Sequence, residues 1–308
     1  MRKNLVTGGA GFIGSHLAES LIHAGEQVRI LDDFSSGKRE NLQSIHNQAQ
    51  LIEGCLTDSS IIAEAVRGCE VVYHLGAIPS VAKSVEEPLR SHDVTATGTL
   101  RVLDAARKAG VRRVVFAASS SAYGNADEGA RKETDVLMPL SPYAAAKLSG
   151  EHYCRSFSEV YGLETVRLRF FNVYGPRQDP KSPYSGVIAI FTNLMKAGKT
   201  PRIDGDGLQS RDFVYVSDVV QGLRKAANAP EASGKVYNIG TGNSINICQL
   251  VDHLNDILMI DRKAIHGPPR LGDVRHSLAD ISQAERDLGY QPEVSFAEGL
   301  RNTLAYQG

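Results

Sequence analysis

Two groups of residues in this sequence could perform redox chemistry together. A glycine-rich run, Thr7-Gly8-Gly9-Ala10-Gly11-Phe12-Ile13-Gly14, lies near the start, and Tyr143-Ala-Ala-Ala-Lys147 lies in the middle. The second run brings a phenol and an ammonium together, because residues four apart share one face of a helix. A nucleotide cofactor held beside a tunable phenol indicates hydride and proton transfer at a carbinol carbon.

The glycine run predicts a dinucleotide cradle. Its Gly-x-Gly-x-x-Gly pattern follows a predicted strand and begins a predicted helix, whose N-terminus attracts a pyrophosphate. Asp32 ends the next strand, where a carboxylate can bind both ribose hydroxyls and repel a 2′-phosphate, so NAD is favoured over NADP. Lys38 and Arg39 lie nearby and weaken that preference. The alternative is a glycine-rich turn beside a solvated acid. Asp58 could contact the adenine or cap the helix that follows it.

Tyr143 is the candidate general base. Its ordinary pKa is about 10, so a base that acts near neutrality needs that pKa lowered by several units. A nearby Lys147 ammonium and the positive charge of an oxidised nicotinamide would both favour the phenolate. Ser119 follows a strand that points at the same cleft, and its hydroxyl can bridge the substrate oxygen and the phenol. The alternative is a packed tyrosine beside a surface lysine.

Composition excludes several classes of function. The chain has 308 residues, of which 42% are hydrophobic and 22% are charged, with a formal net charge of -1. We find no basic block that would bind nucleic acid, no apolar run long enough to span a membrane and no signal peptide. The four cysteines lie far apart, so we expect neither a metal site nor a disulfide frame, and we predict a cytoplasmic protein.

Alternating apolar strands and helices predict the fold class. The pattern indicates an α/β Rossmann-type, doubly wound parallel sheet with a smaller C-terminal α/β substrate lobe. We expect an NAD-binding domain at residues 1–172, with 213–242 returning to it, and a mainly substrate-binding lobe at 173–308. The predicted strands are 3–7, 27–31, 51–52, 71–74, 113–117, 165–170, 214–216 and 236–239. The predicted helices are 12–24, 59–66, 89–109, 142–161, 217–229, 246–258 and 281–288.

At these motifs the chain resembles the extended short-chain dehydrogenase/reductase family, and within it the UDP-hexose 4-epimerases. The likeness covers nearly the whole chain and includes the following runs: Ala118-Ser-Ser-Ser-Ala-Tyr-Gly124, Ser141-Pro-Tyr-Ala-Ala-Ala-Lys147, Arg169-Phe-Phe-Asn-Val-Tyr-Gly-Pro-Arg-Gln-Asp179, Gly205-Asp-Gly, Ser210-Arg-Asp-Phe213, Asn238-Ile-Gly-Thr-Gly242 and Gly272-Asp-Val-Arg-His-Ser-Leu-Ala-Asp280. The last four runs point to enzymes that act on nucleotide sugars.

The resemblance implies a role for individual residues. Ser119, counted back from Tyr123-Gly124, would be the catalytic serine, Tyr143 the base and Lys147 its activator. Expected cofactor-binding residues are Gly8, Gly11, Phe12, Ile13, Gly14, Asp32, Asp33, Ser36, Gly37, Asp58, Leu75, Ala77, Tyr143, Lys147 and Phe170. Expected UDP-sugar-binding residues are Ser80, Ser119, Ser121, Tyr143, Asn172, Val187, Ile188, Arg211, Arg275 and Ser277.

Some of these substrate residues have a simpler interpretation. Without the resemblance, Arg211 and Arg275 would be surface charges paired with Asp212 and Asp273. The segment at Val187 and Ile188, where the uracil-binding segment of the family lies, could equally be core packing.

The sequence departs from the family pattern at three positions. Thr95 stands where many members carry an asparagine that contacts the cofactor, and Asp93 or Thr95 itself could substitute. Pro79 stands where bacterial glucose-type enzymes often place a lysine near the sugar. Ser277 replaces a bulky tyrosine that can exclude N-acetyl sugars, which leaves room for a 2-acetamido group.

Three alternative activities have distinct requirements. A nucleotide-sugar 4,6-dehydratase needs an Asp-Glu pair after the catalytic hydroxyl residue, where this chain has Ser120 and Ser121. A UDP-glucuronate 4-epimerase or decarboxylase needs a cation for the sugar carboxylate; Arg177 is a candidate, although it could equally brace its loop. A non-catalytic NAD sensor or scaffold would not need the intact Ser119, Tyr143 and Lys147. The helices at 89–109 and 142–161 suit a four-helix homodimer interface, as in the family, or simply cover one face of the sheet.

Overall fold

A seven-stranded parallel sheet forms the centre of the molecule. The computed structural model describes residues 2–125, 129–179, 186–269 and 274–306. The strands are β1 Lys3–Thr7, β2 Gln27–Asp32, β3 Ala49–Glu53, β4 Val71–His74, β5 Arg113–Ser119, β6 Glu164–Phe170, β7 Asn172–Tyr174, β8 Arg202–Asp204, β9 Ser210–Arg211, β10 Phe213–Tyr215, β11 Val236–Ile239, β12 Ile245–Asn246, β13 Ile265–Gly267 and β14 His276–Ser277.

Helices cover both faces of this sheet and build most of the smaller lobe. They are α1 Phe12–His23, α2 Ser59–Val66, α3 Val81–Glu86, α4 Pro88–His92, α5 Gly98–Lys108, α6 Pro142–Tyr161, α7 Val187–Lys196, α8 Val216–Asn228, α9 Ile247–Leu258, α10 Ser282–Leu288 and α11 Phe296–Tyr306. The predicted Rossmann-type α/β fold is confirmed. The lobe boundary near residue 172 stays a prediction.

The strand order places a crevice at a defined point. The sheet runs β11-β6-β5-β4-β1-β2-β3, and every neighbouring pair in it is parallel. Strand numbers therefore increase outward in both directions from the neighbouring pair β1 and β4. Parallel sheets of this type bind ligands at such a point, outside the carboxyl ends of the strands. One apolar core lies beneath α1 and α8, and a second lies beneath α2, α5 and α6.

Local sequence explains where α6 begins and ends. The Ser141 hydroxyl accepts from the Ala144 N–H, Pro142 occupies the first helical position, and Gly162 ends the helix with a left-handed φ of 68°. A proline at this position loses no hydrogen bond, and glycine adopts positive φ without strain. Because of these signals, α6, the longest helix of the described chain, begins and ends at the residues predicted from the sequence.

The predicted helix at 89–109 is wrong in one respect. It is divided into α4 and α5 by a π-helical turn at Asp93–Thr97. Val94, Thr95 and Thr97 are β-branched and favour the regular α-helix only weakly, which makes this stretch a suitable place for a wider turn. The turn lies next to the crevice, beneath the segment that follows β4.

Smaller sheets organise the second lobe. β7 pairs with β10, β8 with β13, and β9 lies between β12 and β14. A third apolar core, built around α7, α9 and α11, supports them. Among the described residues, no helix is long and apolar enough to cross a membrane.

Candidate active site

The predicted cofactor and catalytic residues gather at one edge of the main sheet. The glycine turn follows β1, Asp32 ends β2, Leu75 and Ala77 follow β4, and Ser119 ends β5. Because the carboxyl ends of parallel strands meet at one edge, the fold alone brings these segments to the same crevice. Tyr143 and Lys147 lie on the first two turns of α6, which packs beside β5 and β6.

The glycine turn is shaped for close backbone approach. Gly8 has a φ of +67°, and a Cβ there would lie 2.9 Å from the Cα of Gly76. A Cβ on Gly14 would lie 2.2 Å from the Gly8 carbonyl oxygen, so only glycine fits there. A Cβ on Gly11 would meet only that same carbonyl, at 3.1 Å, so the space in front of the turn is open. No side chain caps α1 at Gly11, and the first N–H groups of the helix, at Phe12 and Ile13, face this space.

Asp32 is held firmly at the end of β2. Its two carboxylate oxygens accept from the N–H groups of Ala10 and Phe34, each at 2.9 Å. Burial raises the pKa of this carboxyl above its ordinary value. Each oxygen has a second lone pair, so the carboxylate can still accept from ribose hydroxyls. Ser36 and Gly37 follow in the same loop.

The basic residues near Asp32 are both engaged in ion pairs. Lys38 contacts Asp179 at 2.9 Å, and Arg39 contacts Glu53. These pairs reduce the positive potential that Lys38 and Arg39 would offer to a 2′-phosphate. From their sequence positions, Lys38 and Arg39 weakened the expected preference for NAD over NADP. Their ion pairs offset most of that effect.

The remaining cofactor candidates differ in exposure and in hydrogen-bond partners. Asp58 caps α2 by accepting from Ser60 and Ile61, so the capping interpretation is correct, and its adenine contact stays a prediction. Asp33 is exposed and accepts from Ser35. Phe170 ends β6, is buried in the core and lies in register with Ser119 of β5; its cofactor contact stays a prediction.

Ser119 and Tyr143 are neighbours in the structure. The Ser119 hydroxyl lies near enough to the Tyr143 phenol to lower its pKa, and the Ser119 and Ser121 hydroxyls lie 2.8 Å apart. The hydroxyl groups of Ser121, Ser119 and Tyr143 therefore form a row in space at the end of β5. Such a line of exchangeable protons can pass a proton between a substrate oxygen and the phenol.

The chain without a cofactor does not lower the pKa of the Tyr143 phenol. Desolvation by the surrounding protein raises the pKa of Tyr143 above its ordinary value, and the hydrogen bond from Ser119 only partly opposes this. The Lys147 ammonium donates to the Ala117 carbonyl at 2.8 Å and lies 5.1 Å from the centre of the Phe116 ring. Burial lowers the pKa of Lys147 to about 8. The two side chains share a helix face, but the chain by itself does not create a phenolate.

Two residues that support Tyr143 and Lys147, Ser84 and Glu151, were not predicted from the sequence. The buried Ser84 hydroxyl of α3 accepts from the backbone N–H of Tyr143 at 3.0 Å and so fixes the first turn of α6. Glu151 lies one turn beyond Lys147, is buried against Arg169, and partly offsets the lowering of the Lys147 pKa. The four-residue spacing of Glu151 from Lys147 is a signal that could have identified it. No local pattern points to Ser84.

Three predicted substrate residues converge around Asp212. Asn172 donates its N–H to the Asp212 carbonyl, Asp212 donates its N–H to the Ser277 carbonyl, and Arg211 lies beside Ser277 in register. The Asp212 carboxylate is fully buried and accepts from Thr241 and from the Gly242 and Ala279 N–H groups.

Arg275 is paired differently from the expectation. It makes a bidentate ion pair with Asp206 at 2.7 and 2.8 Å on the surface of the second lobe. Asp273, the partner expected from sequence, lies outside the described residues. The Arg275 carbonyl accepts from the Ser210 N–H, so the residue stays adjacent to Arg211.

The structure assigns other roles to several candidates. Ile188 is buried in the core of the second lobe, which favours its packing interpretation, whereas Val187 is half-exposed. The Ser80 hydroxyl caps α3 by accepting from the Lys83 N–H. Arg177 pairs with Glu19 of α1 at 2.6 Å, which favours the interpretation that it braces its loop; its role as a cation for a glucuronate stays a prediction.

The residues present fit a nicotinamide dinucleotide. The open space at Gly11 and the uncapped start of α1 suit a pyrophosphate, and Asp32 suits a ribose. Within the described ranges, no three His, Cys, Asp or Glu side chains come together as a metal site. The hydroxyl groups of Ser119, Ser121 and Tyr143 can provide acid–base catalysis beside a dinucleotide.

Comparisons with known proteins agree with this geometry. The family model described as GDP-mannose 4,6 dehydratase matches residues 5–303. A solved UDP-glucose 4-epimerase with UDP-glucose from Thermotoga maritima is 41% identical, with 99% of this chain and 98% of that chain covered and a TM-score of 0.94.

Two further solved structures are similar over the same extent, each with 99% of this chain and 98% of that chain covered. A UDP-N-acetylglucosamine 4-epimerase from Methanobrevibacter ruminantium, in complex with UDP-N-acetylmuramic acid, is 39% identical with a TM-score of 0.95. A UDP-glucose 4-epimerase from Thermus thermophilus, in complex with NAD, is 36% identical with a TM-score of 0.91. The chain belongs to the GDP-mannose 4,6-dehydratase family, part of the extended short-chain dehydrogenase/reductase family that its motifs predicted.

Proposed function

We propose that the protein is an NAD-dependent UDP-hexose 4-epimerase that interconverts UDP-glucose and UDP-galactose. The observation that carries the proposal is the grouping of Ser119, at the end of β5, with Tyr143 and Lys147 on the first two turns of α6, which packs beside β5. The similar UDP-glucose 4-epimerases support the choice of substrate and cofactor.

Bound NAD supplies a hydride acceptor at its nicotinamide ring and places a positive charge near the phenol. Tyr143 removes the proton from the sugar 4-hydroxyl, and Ser119 stabilises that proton between the substrate oxygen and the phenol. Lys147, held on the Ala117 carbonyl, places its ammonium where it favours the phenolate. The C4 hydrogen leaves as hydride, and the sugar becomes a 4-keto intermediate.

Inversion requires the keto sugar to turn while its UDP stays bound. Arg211 and Arg275 supply guanidinium groups that match diphosphate oxygens. Arg275 must exchange its contact with Asp206 for the diphosphate. Holding the diphosphate keeps the intermediate at a high effective concentration beside Tyr143. Hydride then returns to the opposite face of C4, and no net oxidation occurs.

The alternatives have weaker support. Ser120 and Ser121 cannot supply the carboxylic acid that a 4,6-dehydratase needs, although the family model has a dehydratase name. The contact of Arg177 with Glu19 engages the cation considered for a glucuronate, which gives that alternative less support. A non-catalytic NAD sensor is not supported, because Ser119, Tyr143 and Lys147 are all in place.

The small Ser277 favours a second substrate class. It lies beside Arg211 in register and is much smaller than a tyrosine, so we propose that UDP-N-acetylglucosamine is also accepted. The similar UDP-N-acetylglucosamine 4-epimerase supports this. If purified protein converts UDP-glucose but not UDP-N-acetylglucosamine, the assignment of Ser277 is wrong.

We also propose a homodimer and a cytoplasmic location. Leu89 of α4 and Tyr153 and Val160 of α6 leave apolar surface exposed on two helices that pack together, which suits a four-helix interface. The four cysteines are all free, which suits a reducing compartment.

The proposal is tested with a panel of UDP-sugars and the purified protein. We expect bound NAD in the preparation and conversion of UDP-glucose and UDP-galactose without added cofactor. Tyr143→Phe should lower turnover by about 10²- to 10⁴-fold while NAD stays bound. Unchanged turnover in this variant would exclude Tyr143 as the base.

A further inference from the structure

The segment that follows β4 is held from below by buried hydroxyl groups. Along residues 75–80, Gly76, Ile78 and Ser80 are buried, whereas Leu75 and Ala77 are half-exposed. We call residues 75–80 the β4 loop. A Cβ on Gly8 would clash with the Gly76 Cα, so this loop packs directly against the glycine turn. Its position therefore determines the shape of the dinucleotide cradle.

Two backbone N–H groups of the β4 loop donate hydrogen bonds to threonine hydroxyls. Gly76 donates to the Thr7 hydroxyl at 3.1 Å, and Ile78 donates to the Thr95 hydroxyl at 3.3 Å. Thr7 ends β1, and Thr95 lies in the π-helical turn. Both threonines are fully buried, so water cannot replace either acceptor.

A buried histidine joins these two supports. His74 contacts the Thr7 hydroxyl through Nδ1 at 2.7 Å and the Thr99 hydroxyl through Nε2 at 3.0 Å. The Thr99 hydroxyl donates its single proton to the Thr95 carbonyl at 2.6 Å, so it can only accept from His74. Nε2 therefore carries the ring proton, and Nδ1 accepts from Thr7. Burial lowers the pKa of His74 to about 3, so the ring stays neutral.

The hydrogen bonds around His74 thus form one continuous donor-to-acceptor series. Thr7 accepts from Gly76 and donates to His74, and His74 donates to Thr99, which donates to the π-helical turn. Asp93, the other substitute considered for the family asparagine, is instead paired with Arg101 at 3.1 Å.

We propose that Thr95 is a positioning residue for the dinucleotide: its buried hydroxyl holds Ile78 of the β4 loop and so keeps Leu75 and Ala77 against the cofactor. The inference rests on the proposed NAD dependence, and the experiment below separates the two.

The test compares Thr95→Val, which removes the acceptor at nearly constant volume, with Thr95→Ser, which keeps it. Thr303→Val is the matched control, because its buried hydroxyl donates only within α11, to the Gly299 carbonyl. Cofactor-stripped proteins are titrated with NADH by fluorescence, amide exchange is followed in the peptide that contains Ile78, and thermal unfolding is recorded.

We expect Thr95→Val to raise the Kd for NADH about tenfold, or about 1.4 kcal/mol, and to accelerate exchange at residues 75–80. Thr95→Ser should restore the Kd to within about twofold of the wild type, and Thr303→Val should leave it unchanged. Thr95→Ala removes the same acceptor without added bulk and should match Thr95→Val.

Unchanged NADH affinity in Thr95→Val, or an equal loss in Thr303→Val, would overturn the positioning role. A wild-type protein that binds no NADH would instead overturn the proposed NAD dependence. In that case faster exchange of the β4 loop in Thr95→Val would still support the hydrogen bond to Ile78.

Discussion

The phenol of Tyr143, the proposed base, is half-buried, and the neighbouring Lys147 is buried; both surroundings disfavour the charged form. Desolvation raises the pKa of Tyr143 and lowers that of Lys147, so both changes move the groups towards neutrality. A phenolate therefore forms only when further positive charge arrives at the site. In the proposed reaction that charge comes with the oxidised cofactor, which makes the base active only when the acceptor of hydride is present.

The lowered pKa of Lys147 predicts a pH dependence of stability. Between pH 8 and about 10.5, the unfolded lysine stays protonated while the folded one has lost its proton. The unfolded state binds more protons in this window, so the contribution of Lys147 to the free energy of unfolding increases with pH. For the cofactor-free protein, we expect the stability of wild type relative to Lys147→Met to rise by up to about 3 kcal/mol from pH 8 to pH 10.5.

Denaturant unfolding of both proteins at several pH values measures this difference. Other groups titrate equally in the two proteins and cancel. A difference that stays constant over this window would mean that Lys147 keeps an ordinary pKa in the folded protein.

The first turn of α6 depends on a hydroxyl from another helix. Ser141 of the chain itself satisfies the Ala144 N–H, but the Tyr143 N–H is satisfied by Ser84 of α3. Ser84→Ala should lower kcat about tenfold, because Tyr143 loses the bond that fixes its backbone. Ser149→Ala is the control, since this hydroxyl donates to Ala145 on the outer face of α6. Equal kcat values for the two variants would contradict the role of Ser84.

Sequence signals located most of these elements, because the signals are local. The ends of α2 and α6 agree with the prediction, since Asp58, Ser141 and Gly162 are recognisable caps. The π-helical turn was not predicted, because nothing in Val94, Thr95 or Thr97 distinguishes it from an ordinary helix with weak propensity.

Contacts between distant residues could not be predicted in the same way. The Asp206–Arg275 pair and the acceptors around Asp212 join segments that are far apart in sequence. The placement of Ser119 near Tyr143 was predictable, because a strand end and a helix start must meet at the crevice. The raised pKa of Tyr143 was not predictable, because its main cause is desolvation in the folded protein, which no local sequence pattern reports.

At the scale of the whole molecule, the exposed apolar surface of α4 and α6 predicts self-association. Leu89 is 86% exposed and Val160 is 67% exposed, and they lie on helices that pack against each other, so they can contribute to one apolar surface. The double variant Leu89→Glu/Tyr153→Glu should convert a dimer into a 33.3 kDa monomer, measured by light scattering. Met259→Glu, at an equally exposed position after α9, should leave the mass unchanged. A wild-type protein that is monomeric at every concentration would remove the dimer proposal.

The central claim is that hydride leaves and returns to the same sugar carbon within one protein molecule. It is tested most directly by incubating purified protein with UDP-glucose in D₂O, without added NAD, and analysing the product by mass spectrometry. The proposed mechanism predicts UDP-galactose with no deuterium at C4, because the hydrogen never exchanges with solvent. Deuterium at C4, or no conversion by a preparation that contains bound NAD, would contradict it.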